Sequence, residues 1–148
     1  MSAKLLFANP TLIVPDVTAA AEYYRDCLGF EILGIWGSGY SIVERGGVIL
    51  HFAGMDEEHR QSAPVVPNQK FTDRWAMWDI YVHTDAVEAL YQELKAKGAE
   101  VPQEPYDANH GNREFHILDL NGYRLAFGQD LESIQSDGES ASADEPAS

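Results

Sequence analysis

The side chains with the widest chemical range in this chain are its histidines, because an imidazole changes charge near neutral pH and can act as acid, base or metal ligand. We expect His51 to be a hydrogen-bonded histidine of a pocket or of the core. His110 and His116 have no paired carboxylate at a diagnostic spacing, so we expect them to be structural or exposed to solvent. The single cysteine, Cys27, falls within a helical pattern and is expected to be a buried apolar residue. No nucleophilic site is predicted.

Motifs that bind phosphates or activate a serine are absent from the sequence. The glycines at positions 37, 39, 46 and 47 flank predicted strands, and neither a Gly-Lys-Ser/Thr motif nor a helix follows them. No nucleophile elbow is present either. Ten basic residues against 24 acidic ones give a formal charge of −14, which argues against binding to a nucleic-acid backbone. Nucleotide chemistry and nucleic-acid partners are therefore not expected.

The length of 148 residues suits one compact domain with a sizeable core, since 45% of the residues are hydrophobic. No apolar run approaches the ~20 residues that span a bilayer, and no signal peptide is recognised, so we predict a cytoplasmic protein without a membrane partner. The segment 131–148 contains five acidic residues and no lysine or arginine, which leaves −9 of the −14 charge for the rest of the chain. We predict that residues 132–148 form a disordered acidic tail.

The sequence repeats itself once, and the repeat is evidence about the fold. In each half an aspartate opens a helical pattern that ends thirteen residues later at a glycine, and an aromatic residue, a turn glycine and a second aromatic follow. The offset between the halves grows along the chain, so a longer loop is expected after the second helix. The matching pairs are Asp16 and Asp85, Gly29 and Gly98, Tyr40 and Phe115, Gly47 and Gly122, and Phe52 and Phe127.

Each half is predicted to form a strand, a helix and three more strands. In the first half we expect a strand over residues 5–14 and a helix over Val17–Leu28, which Asp16 caps and Gly29 ends. Three strands should follow over residues 30–36, 40–44 and 48–53, with a hairpin turn at Gly46 and Gly47.

The second half is predicted to have the same order. A capping box of Asp85 and Glu88 should open its helix, which ends at Gly98. Strands are expected over residues 100–101, 115–119 and 124–128. In the first strand of this half, side-chain alternation predicts Trp78, Ile80 and Val82 on one face and Asp79 and Tyr81 on the other.

Three motifs resemble the vicinal oxygen chelate family, which includes glyoxalase I, extradiol dioxygenases and bleomycin-resistance proteins. They are the Val-Pro-Asp that enters the first helix, its end YYRDCLGFE, and the closing REFHILDLNGYRLAFGQ. The resemblance implies an α+β fold in which two βαβββ units form curled mixed sheets, and it implies a homodimer. We predict one domain over residues 1–131, with units at 5–54 and 75–130 and a linker at 55–74.

In that family the metal ligands stand at positions that correspond here to Asn9, His51, Trp78 and Ala126. Only His51 is a usual metal ligand, whereas a divalent metal needs several converging imidazoles or carboxylates. A shift of one residue in strand register would bring Asp79 to the site, but it would also invert the apolar face of the strand. We therefore predict neither a metal nor another cofactor.

The branch of the family that works without a metal contains the bleomycin-resistance proteins, which sequester a drug and do not transform it. The resemblance implies binding of a planar, cationic ligand, for which aromatic walls and an acidic surface are suited. The predicted ligand-binding residues are Trp36, His51, Trp75, Trp78, Arg113 and Phe115. Three of them have simpler interpretations: Trp78 as core filler, Trp75 as dimer contact, and Arg113 as one half of a surface ion pair with Glu114.

Two other functions stay open at this point. One is a metal-dependent enzyme of the glyoxalase or dioxygenase kind, with an irregular site around His51 that uses Asp79 or Glu114. The other is a subunit or regulatory module that binds a protein partner. Because the family contains lyases, oxygenases and pure binders, its fold alone does not choose among these functions.

Overall fold

The structure, a computed structural model, describes residues 2–62 and 65–135. The chain divides into two compact units, Met1–Val66 and Pro67–Ser148. Each unit contains a curled, mixed sheet of four strands that is not closed, and in both sheets the strands of the unit, numbered along the chain, lie side by side in the order first, fourth, third, second. In both sheets the first strand pairs in parallel with the last one. The prediction of two βαβββ units is confirmed.

The first unit follows the predicted order of elements. A short helix, α2, and a 3-10 turn at Asn68–Phe71 both fall within the predicted linker at 55–74. The elements of the unit are β1 (Thr11–Val14), α1 (Val17–Leu28), β2 (Glu31–Trp36), β3 (Tyr40–Arg45), β4 (Val48–Gly54) and α2 (Glu57–Ser62).

Helix α1 has the predicted bounds, because local signals specify both of its ends. The Asp16 carboxylate accepts a hydrogen bond from the Ala19 backbone N–H at 2.9 Å, and Gly29 ends the helix at a φ of 76°. The buried side of the helix covers one face of the first sheet, where the Tyr24 ring lies 4.9 Å from that of Phe52. The buried residues of α1 are Val17, Ala20, Ala21, Tyr24 and Leu28.

Strand β1 is shorter than predicted, since it begins at Thr11 and not at residue 5. The backbone N–H of His51 donates to the Pro10 carbonyl, which is the last contact of the parallel ladder in this direction. Pro10 has no N–H of its own and cannot extend the ladder. The β-favouring residues before it are therefore unpaired, and Leu5, Leu6 and Phe7 are 97%, 79% and 79% exposed.

The second unit differs from the prediction mainly in its loop. Residues 100–101 do not form a strand, since only Glu100 makes an isolated bridge, to Leu118. The sheet instead takes its edge strand from the longer loop that precedes β7, and β7 begins three residues earlier than expected. The elements are β5 (Ile80–His83), α3 (Val87–Ala96), β6 (Tyr106–Asp107), β7 (Asn112–Leu118) and β8 (Arg124–Asp130).

The predicted capping box of α3 is wrong. Ala86 occupies the N-cap position, and no side chain of the capping residue bonds to the helix. The Gln129 side chain, at the end of β8, replaces it: its Oε1 accepts the Val87 N–H at 2.9 Å, and its Nε2 donates to the Asp85 carbonyl at 2.8 Å. Glu88 instead forms an ion pair with Arg113. A residue 42 positions away therefore caps this helix.

The predicted tail falls partly outside the described residues. Residues 131–135 are helical, which corrects the expectation that disorder begins at residue 132, and residues 136–148 lie outside the described part of the chain. Among the residues that the structure describes, no helix has the length and apolar character needed to cross a membrane.

Substitution of Gln129, the observed cap of α3, and of Asp85, its expected cap, tests this assignment, and Asp16, the cap of α1, serves for comparison. Asp16→Ala should lower the free energy of unfolding by about 1 kcal/mol, because the helix loses its N-cap. Gln129→Ala should lower it by about 1–3 kcal/mol, because the buried Val87 N–H is left without a partner. Asp85→Ala should change it by less than about 0.5 kcal/mol. Urea unfolding followed by circular dichroism measures all three, and an Asp85→Ala cost equal to that of Asp16→Ala would contradict this assignment.

Candidate functional site

One face of the second sheet packs against α3, and the opposite face, which we call the open face, carries the polar groups. On the helix side, the Phe115 ring lies 5.6 Å from Tyr91 of α3 and stacks on Phe127 at 5.2 Å. Neighbouring residues of a strand point to opposite faces, whereas paired residues point to the same face. The pairs Tyr81–Ala126, His116–Ala126, Glu114–Gly128 and Tyr106–Glu114 therefore place these six residues on the open face.

The centre of the open face is the carboxylate of Glu114, which is 2% exposed. The Tyr81 hydroxyl donates to its Oε2 at 2.8 Å and the Tyr106 hydroxyl to its Oε1 at 2.9 Å. Asn112 Nδ2 in turn donates to the Tyr81 oxygen at 2.8 Å. Gly128 makes room for this arrangement, since a Cβ there would collide with the end of the Tyr81 side chain. A buried carboxylate with a donor on each oxygen has the partners that burial requires.

Both histidines that were expected to lack a carboxylate have one in Glu114. His110 Nε2 lies 3.2 Å from Glu114 Oε2, and His116 Nε2 lies 3.5 Å from Oε1 and 3.0 Å from the Tyr106 hydroxyl. The expectation was wrong because residues two apart on a strand share a face, so Glu114 and His116 are neighbours. We call Tyr81, Tyr106, His110, Glu114 and His116 the Glu114 cluster.

Burial and charge shift the pKa values of three members of this cluster. Burial, followed by the neighbouring Glu114, raises the pKa of Tyr81 to about 12 although the Asn112 hydrogen bond opposes the shift. The same two causes raise the pKa of Tyr106. Burial lowers the pKa of His116, and this effect outweighs the opposing attraction of Glu114. At neutral pH both tyrosines therefore keep their hydroxyl hydrogen, and His116 is neutral.

Two tryptophans border the Glu114 cluster. The Trp78 ring lies 5.1 Å from that of Tyr81 and 6.0 Å from that of His116. Trp75 stands edge-on to Tyr106 at 5.6 Å and is 6.1 Å from His116. Trp75 is 68% exposed, so it offers a ring surface to solvent. The structure thus brings Trp75 and Trp78 together with polar residues that the sequence did not single out as a site.

Trp78 lies on the open face, but the alternation that predicted this is wrong. Ile80 and Val82 are buried and pair with Leu125 and Phe127 on the helix side, while Tyr81 is on the open face. Trp78 precedes the strand, and Asp79 forms a bend whose carboxylate accepts backbone N–H groups from Asn68 and Arg124. A period of two residues does not extend across such a bend.

Two predicted ligand residues lie on the helix side and are corrected. Phe115 is fully buried against α3 and has no surface for a ligand. Arg113 forms ion pairs with Glu88 at 2.6 Å and Asp107 at 2.9 Å, and not with Glu114. The hydrogen bonds to these two carboxylates raise the pKa of the Arg113 guanidinium. Neither residue belongs to the Glu114 cluster.

The other two predicted residues share a face of the first sheet. His51 Nδ1 lies 2.6 Å from the Tyr40 hydroxyl, and Trp36 pairs with Tyr40 across β2 and β3. Trp36 is 57% exposed, and its indole lies over Gly34, where a Cβ would meet the ring. Trp36 and His51 stay predicted ligand contacts.

The residues at the family's metal positions do not form a donor set. Ala126 is fully buried and has no donor atom, and both oxygens of Asp79, the alternative ligand, accept backbone hydrogen bonds. Within residues 2–62 and 65–135, no group of three or more His, Cys, Asp and Glu side chains is placed to hold a metal ion. The side chains at Asn9, His51 and Trp78 supply one imidazole, which does not fit a divalent cation.

The lowered pKa of His116 should make stability depend on pH. Below about pH 6.5 the unfolded chain takes up a proton on this histidine before the folded chain does, so acidification lowers the free energy of unfolding. The melting temperature of the wild type should therefore fall more between pH 7.5 and 5.5 than that of His116→Asn, as measured by circular dichroism. His83→Asn, which removes an exposed histidine, is the control. Parallel pH curves for wild type and His116→Asn would show that His116 is not the titrating group.

Solved structures with the same fold include binding proteins and an enzyme-related protein. A bleomycin-binding protein complexed with bleomycin has a TM-score of 0.65 at 21% identity, with 85% of this chain and 99% of that chain covered. The bleomycin-binding protein of Streptomyces verticillus, complexed with copper(II)-bleomycin, has a TM-score of 0.63 at 24% identity, with 85% and 97% covered. A glyoxalase-related enzyme from Fulvimarina pelagi has a TM-score of 0.57 at 17% identity, with 85% and 89% covered.

Comparison with curated proteins gives no significant match. The sequence does match a family model, that of the Glyoxalase/Bleomycin resistance protein/Dioxygenase superfamily, over residues 6–127. The match covers both βαβββ units and confirms the resemblance found in the motifs. The chain therefore belongs to the Glyoxalase/Bleomycin resistance protein/Dioxygenase superfamily.

Proposed function

We propose that the protein binds a flat, cationic small molecule of the glycopeptide-antibiotic kind, as bleomycin is, and releases it unchanged. The observation that carries this proposal is the buried Glu114 carboxylate on the open face, bordered by the Trp75 and Trp78 rings. Aromatic faces attract flat rings and cations, and a carboxylate among them adds a charge partner. Such an arrangement is suited to binding a cation and needs no metal.

The charges of the chain support a cationic ligand. In the described part of the chain, the ion pairs of Glu114 are with histidines, which carry a positive charge only when protonated. The nearest arginine in sequence, Arg113, is engaged by Glu88 and Asp107 on the other face. The charge of −14, of which −9 lies outside the segment 131–148, raises the local concentration of cations around the protein.

The similar structures support the same class of ligand, because two of them are bleomycin-binding proteins. The proposal includes a cytoplasmic homodimer, for which the exposed Leu5, Leu6 and Phe7 supply apolar surface. It also keeps Trp36 and His51, on the first sheet, as ligand contacts. The enzyme hypothesis lacks such support, since His51 has a tyrosine partner and Asp79 is bonded to the backbone.

Calorimetric titration with metal-free bleomycin tests the proposal. We expect a dissociation constant of about 1 μM or tighter. Trp78→Ala and Glu114→Gln should each weaken binding by about tenfold, which corresponds to the loss of one cation–aromatic or charged contact. Glu104→Gln, which neutralises an exposed carboxylate of the same unit, should leave the affinity unchanged.

Two outcomes would contradict the proposal. Absence of binding at high drug concentration would remove bleomycin-type drugs as the ligand class. Near-stoichiometric zinc, iron, nickel or manganese in protein purified without chelator, together with loss of that metal in His51→Ala, would favour the enzyme hypothesis. Chromatography of the recovered drug adds a further check, since a binder returns it unmodified.

A further inference from the structure

Two buried nitrogen atoms on the open face have no hydrogen-bond partner: His116 Nδ1 and Arg124 Nε. The His116 side chain is 3% exposed, so the imidazole cannot turn to bulk water for a partner. An unpaired buried polar atom costs about 1–3 kcal/mol, and proteins rarely retain one without a ligand, a water molecule or a function for it. These two atoms therefore indicate a missing partner.

His116 and Arg124 are neighbours on the same face. His116 pairs with Ala126 across β7 and β8, and Arg124 lies two residues before Ala126, so it is the diagonal neighbour of His116. Diagonal neighbours of this kind have Cα atoms about 7–8 Å apart, within reach of long side chains. The positive charge of Arg124 contributes to the lowered pKa of His116, as expected for groups this close.

The hydrogen bonds of Tyr106 define the chemical character of the unpaired His116 atom. The single hydroxyl hydrogen of Tyr106 is donated to Glu114, yet the Tyr106 oxygen is also 3.0 Å from His116 Nε2. The hydrogen of this second contact must then come from Nε2. Because the imidazole is neutral and carries one N–H, Nδ1 is left as an acceptor, whereas Arg124 Nε is always a donor.

We propose that His116 and Arg124 form a recognition edge for the ligand's flat ring, which presents an N–H donor beside a ring-nitrogen acceptor, as an aminopyrimidine does. The N–H donates to His116 Nδ1, and the ring nitrogen accepts from Arg124 Nε. This inference rests on the proposed function and names the ligand chemistry that the same open face selects. A planar ring with this edge also suits the neighbouring Trp75 and Trp78 rings.

Trp75 is the exposed ring beside this edge. It belongs to no helix or strand, is 68% exposed, and its ring lies 5.6 Å from that of Tyr106 and 6.1 Å from that of His116. In the proposed complex this indole turns aside to admit the ligand's ring, which needs no change in the sheet because Trp75 lies outside the strands. The same indole then covers one face of the bound ring.

A matched pair of pyrimidines tests the proposal on the full chain. The probes are 2-aminopyrimidine and 2-(dimethylamino)pyrimidine, which lacks the N–H, and the readout is the ring-nitrogen spectrum of His116 in ¹⁵N-labelled protein. Free protein should show the neutral Nε2–H form. We expect 2-aminopyrimidine to shift the Nδ1 resonance and to bind about fivefold tighter or better than the dimethyl compound, the equivalent of one hydrogen bond. The dimethyl compound should leave that resonance in place.

Three variants identify which protein atoms bind the pyrimidine ring. His116→Asn keeps a polar atom near the Nδ1 position and should retain part of the preference for 2-aminopyrimidine, whereas His116→Gln keeps one near Nε2 and should lose it. Arg124→Lys removes the Nε–H but keeps the charge, and it should weaken the binding of both pyrimidines, because both keep the ring nitrogen that accepts from Nε. Arg113→Lys, on the opposite face, is the matched control and should behave as the wild type.

The outcomes separate this inference from the proposed function. Equal affinity for both pyrimidines, no binding of either, an unmoved Nδ1 resonance, or unchanged affinities in Arg124→Lys would each overturn the recognition edge and assign the two atoms to bound water. Bleomycin binding that persists in such a case would leave the proposed function standing. A clear preference for 2-aminopyrimidine without any bleomycin binding would support the recognition edge and would contradict the proposal that bleomycin-type drugs are the ligand.

Discussion

The arrangement of the second unit depends on one interaction, the burial of the Glu114 carboxylate under the hydroxyls of Tyr81 and Tyr106. Burying a charged carboxylate is unfavourable unless donors satisfy it, so the three residues must meet within hydrogen-bond distance. They come from β5, β6 and β7, and their meeting therefore requires the correct register of three strands. Gly128 on β8 follows from the same constraint, because any side chain there would displace the Tyr81 hydroxyl.

Strand β7 supplies residues to both the core and the site, since its residues alternate between the two faces of the sheet. Phe115 packs on α3, while its neighbours Glu114 and His116 lie on the open face. Burial of Phe115 therefore also fixes the position of the strand that carries both polar side chains. The first sheet has the same architecture but different side chains, because its face opposite α1 carries the Tyr40–His51 pair. The repeat determines the framework, and the residues between the core positions determine the function.

Local signals in the sequence were sufficient for much of the fold but not for the site. The bounds of α1 were predicted because Asp16 and Gly29 adjoin the helix that they cap. The Gln129 cap of α3 was missed because it lies 42 residues from its partner, and the Tyr81–Glu114 bond spans 33 residues. Such pairs depend on strand register, which composition and spacing do not reveal. One signal was present and overlooked, namely that Glu114 and His116 are two residues apart in the sequence, on either side of the start of the strand predicted over residues 115–119.

The protonation states around Glu114 bear on the proposal that the ligand is an organic cation. Tyr81 and Tyr106 lose their protons only far above neutral pH, so they remain hydrogen-bond donors and do not add negative charge. They also bring no positive charge to offset the carboxylate. His116, whose Nε2 lies 3.5 Å from Glu114 Oε1, is neutral at the same pH because burial lowers its pKa. At neutral pH hydrogen bonds therefore satisfy the Glu114 oxygens, Arg124 is a permanently charged base on the same face, and the proposed ligand would bring a further cation beside Trp75 and Trp78.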